Sequence, residues 1–275
     1  MVTAAEIVER VVEGETPPKL FAEHRARYEF AAQFARGRRV LDIACGTGFG
    51  APILRAAGAT EIVGVDIDAQ TVEYARSRYG AAGISFHLGD AYDPPRQGRF
   101  DLIISFETIE HLQFPERFLA ACGRLLAPGG QFVVSTPYRY RMNADGSPLN
   151  PFHLREWQSD EFAALLRRFF AEVTLFGQGM KLKKKRFMPL SRKLGFGLAR
   201  LQGVRARDSS TIYLLPGPQL FGLWHSFPGY LIAACAGFLR SRVNFAESGP
   251  GRKTRTATAP SARSRRGRRI GMAND

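Results

Sequence analysis

The feature that most constrains the fold is a regular alternation of short apolar segments with amphipathic segments through the middle of the chain. The apolar segments have the length and β-branched residues of strands, whereas the amphipathic ones repeat their apolar residues at helical spacing. Such alternation is typical of a parallel sheet, in which a helix crosses back between two strands. The predicted strands are RRVLDIA, EIVGVDI, ISFHLGD, FDLIISF and GQFVVSTP, and the predicted helices are APILRAAG, AQTVEYARSRY and PERFLAACGRLL.

The same pattern continues beyond residue 150. SDEFAALLRRFF predicts a helix that opens at a Ser or Asp cap, and AEVTLFG and STIYLLP predict two further strands. A basic insertion at about residues 179–208 separates these strands. A chain of 275 residues can bury one large core with room for an appendage. We therefore expect one α/β domain at residues 36–240, preceded by a helical cap at residues 1–35.

The C-terminal end differs in composition from the rest of the chain. Residues 181–275 contain 20 of the 39 Lys and Arg residues but only 3 of the 25 acidic residues, so the excess positive charge is concentrated there. Residues 241–275, rich in Arg, Ser and Thr and poor in aliphatic side chains, are predicted to be a disordered basic tail. Prolines and glycines interrupt the apolar segment at about residues 214–239, which disfavours a membrane-spanning helix. We interpret that segment as an interfacial patch or a substrate-side cap packed on the core.

The loop after the first predicted strand has the composition of a nucleotide-binding turn. In LDIACGTGFGA, Gly46, Gly48 and Ala51 satisfy the G-x-G-x-x-G/A pattern, which does not by itself separate NAD from other nucleoside cofactors. Asp42 separates them, because a phosphate gains little from a carboxylate at the lip of its loop, whereas an α-amino group is attracted to one. Asp66 ends the second predicted strand, where a carboxylate can accept hydrogen bonds from both ribose hydroxyls.

Asp90 follows the third predicted strand and can accept a hydrogen bond from an adenine amino group. The alternative for Asp90 is a turn-forming role, and Asp68 is open to interpretation as a simple helix N-cap. Ile67 and Ala91, the neighbours of the two cofactor carboxylates, complete the predicted cofactor set. Together these residues predict a nucleoside that carries an amino acid.

The motifs in this order and spacing resemble class I S-adenosylmethionine-dependent methyltransferases, from about residue 20 to residue 177. The resemblance implies a Rossmann-like, seven-stranded, mostly parallel sheet with helices on both faces and an antiparallel final hairpin. It also implies that S-adenosylmethionine is bound by Asp42, Gly46, Gly48, Asp66 and Asp90. Two segments, HRARYEFAAQFARGRRVLDIACGTGFG and NPFHLREWQSDEF, are similar to bacterial members found beside glycan and glycosyltransferase genes. The motifs that carry the resemblance are VLDIACGTGFG, GVDID, GDA, FDLIISFETIEHL and LLAPGGQFVVSTP.

The segment SFETIEHL places two carboxylates and an imidazole where the fourth predicted strand ends, at the edge of a parallel sheet where ligands bind. If residues 107–111 begin a helix, Glu107, Glu110 and His111 lie on one face of it. With His153 as a fourth ligand they could hold Mg²⁺ or Mn²⁺, and two imidazoles would also admit Zn²⁺. The alternatives are that His111 acts as a metal-free base or substrate contact, or that the cluster is structural.

The resemblance extends to this cluster. It is similar to the metal-binding Glu-x-x-Glu-His of ubiquinone-pathway O-methyltransferases and of small-RNA 3′-terminal 2′-O-methyltransferases. A metal there would coordinate an acceptor hydroxyl and lower its pKa. The favoured hypothesis is therefore O-methylation of a sugar, a glycan or another polyhydroxy small molecule. An RNA 2′-O-methyltransferase and a non-catalytic cofactor-binding scaffold are the alternatives, although the basic tail lacks aromatic residues on which bases could stack.

The remaining features concern location and the cofactor cap. Cys45, Cys122 and Cys235 lie far apart without metal or redox spacing, which indicates a reducing cytoplasmic compartment. The basic residues that flank the apolar segment are compatible with peripheral contact at the inner face of a membrane. Arg25 and Tyr28 lie on a helix that, by resemblance, covers the cofactor. The oligomeric state stays open.

Overall fold

A computed structural model describes residues 10–95, 97–139, 142–180, 204–205, 210–214 and 229–239. Within those residues, five α-helices and one 3-10 turn accompany nine strands. The helices are α1 Pro18–Ala32, α2 Gly50–Ala56, α3 Ala69–Tyr79, α4 Pro115–Leu125 and α5 Ser159–Arg167, and the 3-10 turn is Ile109–His111. The strands are β1 Arg39–Ile43, β2 Glu61–Asp66, β3 Ile84–Leu88, β4 Phe100–Ser105, β5 Leu126–Pro137, β6 Phe170–Met180, β7 Val204–Arg205, β8 Ser210–Leu214 and β9 Tyr230–Phe238.

The strands form one sheet in the order β3-β2-β1-β4-β5-β9-β6-β8-β7. The first five of these are parallel to one another, and β9 runs antiparallel between β5 and β6. The seven strands from β3 to β6 confirm the predicted mostly parallel sheet, and the short β8 and β7 extend it beyond β6. The chain order reverses on either side of β1, which opens a crevice at the carboxyl ends of β1 and β4.

The interpretation of the apolar Pro/Gly-rich segment was wrong for residues 230–238. These residues are not a surface patch or a cap, because they form β9 in the interior of the sheet, whereas the predicted final strand STIYL forms β8 outside β6. A strand that is covered on both faces is apolar without alternation, so its sequence resembles that of other buried segments. Most of the basic insertion and the whole predicted tail lie outside the described residues.

Helices cover both faces of the sheet, as predicted. Successive residues of β1 point to opposite sides, so that Val40 packs with α1, α2 and α3, whereas Leu41 packs with α4 and α5. Each face therefore has its own apolar layer. Cys45, Cys122 and Cys235 are buried and unpaired. Among the described helices, none combines the length and the apolar character needed to cross a membrane.

Candidate active site

A cavity of about 750 Å³ opens at the carboxyl edge of the parallel strands. Its size falls in the range of pockets that hold a cofactor together with a small molecule. The loops after β1, β2, β3 and β4 line it, and His24 and Tyr28 of α1 face it from the other side. Arg10 and Val11, which precede α1, also line it. Helix α1 therefore contributes side chains to the cavity.

The loop after β1 approaches the cavity with its backbone. Gly46 lines the cavity at φ +54°, and a Cβ added there would meet no atom within 4 Å. Gly48, at φ +79°, has a packing role, since a Cβ there would lie 2.7 Å from the Phe86 ring. Ala44 also lines the cavity and has a left-handed backbone at φ +57°, which is strained for any residue except glycine. No sequence motif points to Ala44.

Asp66 lies in the cavity wall and fixes two loops. Its Oδ2 accepts a hydrogen bond from the Gly46 amide at 2.8 Å, and its Oδ1 accepts from the Asp68 amide at 3.0 Å. Each carboxylate oxygen has further accepting capacity, so Asp66 can also accept from a pair of ligand hydroxyls. The next side chain, Ile67, is 73% exposed and lines the cavity, where it offers an apolar surface.

Asp90 makes the local turn that is the alternative to an adenine contact, and Asp68 is a helix N-cap. Asp90 is exposed at the cavity wall, and its Oδ1 accepts from the Tyr92 amide at 2.8 Å, so it forms a turn. Ala91 lines the cavity beside it. Asp68 accepts from the Thr71 amide at 2.7 Å and is the N-cap of α3.

Asp42 is buried and does not line the cavity. The Tyr28 hydroxyl donates to its Oδ2 at 2.9 Å, while its Oδ1 has no hydrogen-bond partner in the described part of the chain. Burial raises the pKa of Asp42 to about 8, the Tyr28 hydrogen bond acts in the opposite direction, and Asp66 raises it further. Tyr28, which does line the cavity, therefore connects Asp42 to it. Arg25 is exposed and pairs with Glu29 at 2.9 Å.

The structure brings three of the four predicted metal ligands together. One ligand atom from each of Glu110, His111 and His153 lies within 4.8 Å of the others. The loop that carries His153 is attached to the 3-10 turn by backbone hydrogen bonds, among them Leu154 N to Glu110 O at 2.9 Å. All three side chains belong to residues that line the cavity.

The hydrogen bonds of the two imidazoles define their tautomers. Nδ1 of His111 lies 2.9 Å from the Phe152 carbonyl, which can only accept, so the neutral ring has its lone pair at Nε2. The Phe152 amide donates to Asn150 Oδ1, and the Asn150 amide group therefore faces Nε2 of His153 at 2.8 Å. Nδ1 of His153 then donates to Glu156 at 2.7 Å. Metal-binding histidines characteristically donate their second ring N–H in this way.

Glu110 is the buried member of this cluster. Neither of its carboxylate oxygens has a hydrogen-bond partner among the described residues. Burial, and then the nearby charge of Glu107, raise the pKa of Glu110 well above its ordinary value. A buried carboxylate without hydrogen bonds is costly, and a nearby cation is one group that could offset this cost.

Glu107 is near Glu110 but is not one of the three clustered residues. Residues 107–111 do not begin a regular helix, because Glu107 has φ +53° and only residues 109–111 form a 3-10 turn. The expected common face is therefore absent. The Glu107 carboxylate instead accepts from the Ser135 hydroxyl at 2.6 Å, and the Ser135 oxygen accepts from the Glu107 amide at 3.2 Å.

The strand order and the cavity at the switch point define a class I methyltransferase fold. Residues 41–134 match the family model described as a methyltransferase domain. A solved S-adenosylmethionine-dependent methyltransferase of Thermotoga maritima has a TM-score of 0.53 at 19% identity, covering 79% of this chain and 91% of that chain. At that identity the likeness concerns the fold alone.

Two curated relatives are similar to part of the chain. A Mycolicibacterium smegmatis protein named "Probable S-adenosylmethionine-dependent methyltransferase" is 38% identical over 154 residues, which are 56% of this chain and 59% of the relative. A ubiquinone biosynthesis O-methyltransferase of Aromatoleum aromaticum is 36% identical over 104 residues, covering 36% of this chain and 44% of that protein. The chain thus spans about half the length of these relatives.

Proposed function

We propose that this protein is an O-methyltransferase that uses S-adenosylmethionine and acts on a hydroxyl of a sugar, a glycan or another polyhydroxy small molecule. The observation that carries the proposal is the convergence of Glu110, His111 and His153 in the same cavity as the nucleotide-binding loop. Two imidazoles and an unpaired carboxylate can hold an acceptor oxygen, either through a divalent cation or directly.

The cofactor half of the cavity fits S-adenosylmethionine, which supplies an electrophilic methyl group on its sulfonium. Asp66 has accepting capacity for the ribose hydroxyls, and the exposed Ile67 and the adjacent Ala91 provide apolar contact for the adenine. Asp90 has a second carboxylate oxygen with which to accept from the adenine amino group. Gly46 leaves open space in the cavity wall, and Gly48 keeps the loop packed against Phe86. The Asp42–Tyr28 pair makes the wall beneath the loop polar, and we assign it to the amino-acid part.

The acceptor half of the cavity fits Mg²⁺ or Mn²⁺, and two histidines also admit Zn²⁺. Glu110, His111 and His153 would hold the cation, with Asn150 moving away from Nε2 of His153. A bound cation would lower the pKa of a coordinated hydroxyl. If none binds, the Nε2 lone pair of His111 is available as a proton acceptor in the cavity, and a positioned base contributes about 10² to 10⁴ in rate.

An activity screen with methyl-labelled cofactor tests the proposal. Glycan precursors, quinol precursors and RNA are the acceptors to compare, each with and without a chelator. We expect labelled polyhydroxy product, loss of turnover with chelator, and recovery with Mg²⁺ or Mn²⁺. Labelling of RNA alone would contradict the acceptor class and favour the 2′-O-methyltransferase alternative.

Matched variants distinguish a metal-assisted site from a site in which His111 acts as a metal-free base. Glu110→Gln and His111→Ala should abolish most turnover while S-adenosylhomocysteine affinity, measured by calorimetry, stays nearly constant. Glu116→Gln is the control, because Glu116 lies in the first turn of α4 and pairs with Arg168 at 3.2 Å instead of entering the cluster. Turnover that resists the chelator but falls in His111→Ala indicates a metal-free base. Turnover unaffected by any of these changes would refute the assigned chemistry.

A further inference from the structure

Arg27 is a fully buried charged side chain that belongs to α1 and does not line the cavity. Its guanidinium lies 4.4 Å from the centroid of the Tyr230 ring, and Nη1 donates to Gln178 Oε1 at 2.7 Å. Its Nε is 4.0 Å from Oε1 of Glu107, a carboxylate that lines the cavity. The guanidinium of Arg27 on α1 therefore lies next to a cavity-lining carboxylate without itself lining the cavity.

Stability does not account for this arrangement. Burying a guanidinium is costly, and an apolar residue of similar volume is often as stable in its place. Nε and Nη2 of Arg27 have no hydrogen-bond partner in the described part of the chain, so its charge is incompletely paired. Arg25, two positions earlier on the same helix, is exposed and pairs with Glu29. The burial of Arg27 therefore needs a reason other than helix stability.

Glu107 supplies that reason, because its own conformation is strained. A left-handed backbone at a residue other than glycine persists only where the surroundings hold it. The Glu107 side chain is 17% exposed and bonds to Ser135 through Oε1, on the side where Arg27 lies. No hydrogen bond within the described residues uses Oε2. Glu107 itself lines the cavity.

We propose that Arg27 is a positioning residue that holds the Glu107 carboxylate toward the acceptor, where Oε2 accepts a hydrogen bond from an acceptor hydroxyl. Arg27 acts through Glu107, since it does not itself reach the cavity. The inference rests on the proposed function. It divides the acceptor half into two parts: Glu110, His111 and His153 act on the reacting oxygen, and Glu107 orients the molecule that carries it.

Two measurements on Arg27→Met test the inference, and the first needs no acceptor. Crystals of this variant with S-adenosylhomocysteine should show the Glu107 carboxylate displaced by about 1 Å or more, or its φ returned to negative values. In the second, turnover of the acceptor found in the screen should fall about 10²-fold, as a misplacement of about 1 Å can cause. Melting temperature and S-adenosylhomocysteine affinity should stay close to wild type. Arg27→Lys should restore part of the turnover, and Arg25→Met is the matched control.

A double-mutant cycle with Glu107→Gln identifies the route of the effect. If Arg27 acts through Glu107, Arg27→Met should cost less than about threefold in the Glu107→Gln background, because coupled residues are not additive. Multiplicative losses, or a Glu107 that is unmoved in the variant crystal, would overturn the inference. A joint loss of melting temperature and cofactor affinity would assign Arg27 a purely structural role. The His111→Ala result tests the proposed function separately, and the crystal comparison decides the inference even if no acceptor is found.

Discussion

Replacing Asp42 by Asn should change how the stability of the cofactor-free protein depends on pH. Burial raises the pKa of Asp42 from an ordinary 3.8 to about 8 in the folded protein. Between these values the folded state holds a proton that the unfolded state releases. Asp42 therefore contributes stability that is fully present below about pH 4 and is lost as the pH rises through about 8. The amide of Asp42→Asn does not titrate, so the variant lacks this loss.

The magnitude of this stability change follows from the pH range between the ordinary pKa of Asp42 and its pKa in the folded protein. Where the folded state is protonated and the unfolded state ionised, the slope is about 1.4 kcal/mol per pH unit. From pH 5 to pH 7, wild type should therefore lose about 2.7 kcal/mol of unfolding free energy relative to Asp42→Asn. Glu110 also has a raised pKa, but it is present in both proteins and its contribution cancels in the difference.

Urea denaturation of both proteins at pH 5, 6 and 7 measures this difference directly. Tyr28→Phe is an informative companion. The Tyr28 hydrogen bond lowers the pKa of Asp42, so its loss should raise this pKa further, and stability should then continue to fall up to a higher pH. Parallel dependence of wild type and Asp42→Asn on pH would refute the reasoning, since it would mean that Asp42 is ionised in the folded protein throughout this range.

Three other substitutions test the loop after β1 and the end of β2, which are assigned to the cofactor. Ala44→Gly should raise the free energy of unfolding by about 0.5 kcal/mol in urea denaturation, because the left-handed strain that it relieves exceeds the added freedom of the unfolded chain. Gly48→Ala should lower it by about 2 kcal/mol or more, since the new Cβ would overlap the Phe86 ring. Asp66→Ala should weaken S-adenosylhomocysteine binding by about 2 kcal/mol in calorimetry, the range for bonds to a charged group. Unchanged affinity would remove Asp66 from the cofactor site.

The parallel sheet and the position of the glycine loop at its edge could be predicted because their signals are local. A strand period, a glycine loop and a carboxylate at a strand end each occupy a few neighbouring residues, and the fold brings them to one edge. Asp66, for example, ends its predicted strand at the usual distance from the glycine loop, and it lines the cavity. The position of β9 between β5 and β6 could not be predicted in this way, because an apolar segment without alternation does not indicate which strands it pairs with.

The details of the acceptor half depended on conformation and packing. A helix at residues 107–111 would have put Glu107 beside His111, but the left-handed backbone at Glu107 turns its carboxylate toward Ser135. Sequence directed attention to Arg25, and only the packing of α1 shows that Arg27 is the buried arginine. Ala44 has a left-handed backbone although it is not glycine, so the residue type does not indicate this conformation.

The position of β9 sets an order of events during synthesis. β6 pairs only with β8 and β9 among the described strands, and both emerge from the ribosome after it. Until residue 238 has been made, β5 presents an open edge and β6 lacks the strand that joins it to the sheet. Such edges are the usual starting points of wrong strand pairing. A chain interrupted before β9 should therefore aggregate, even though all five parallel strands and the glycine loop are already complete.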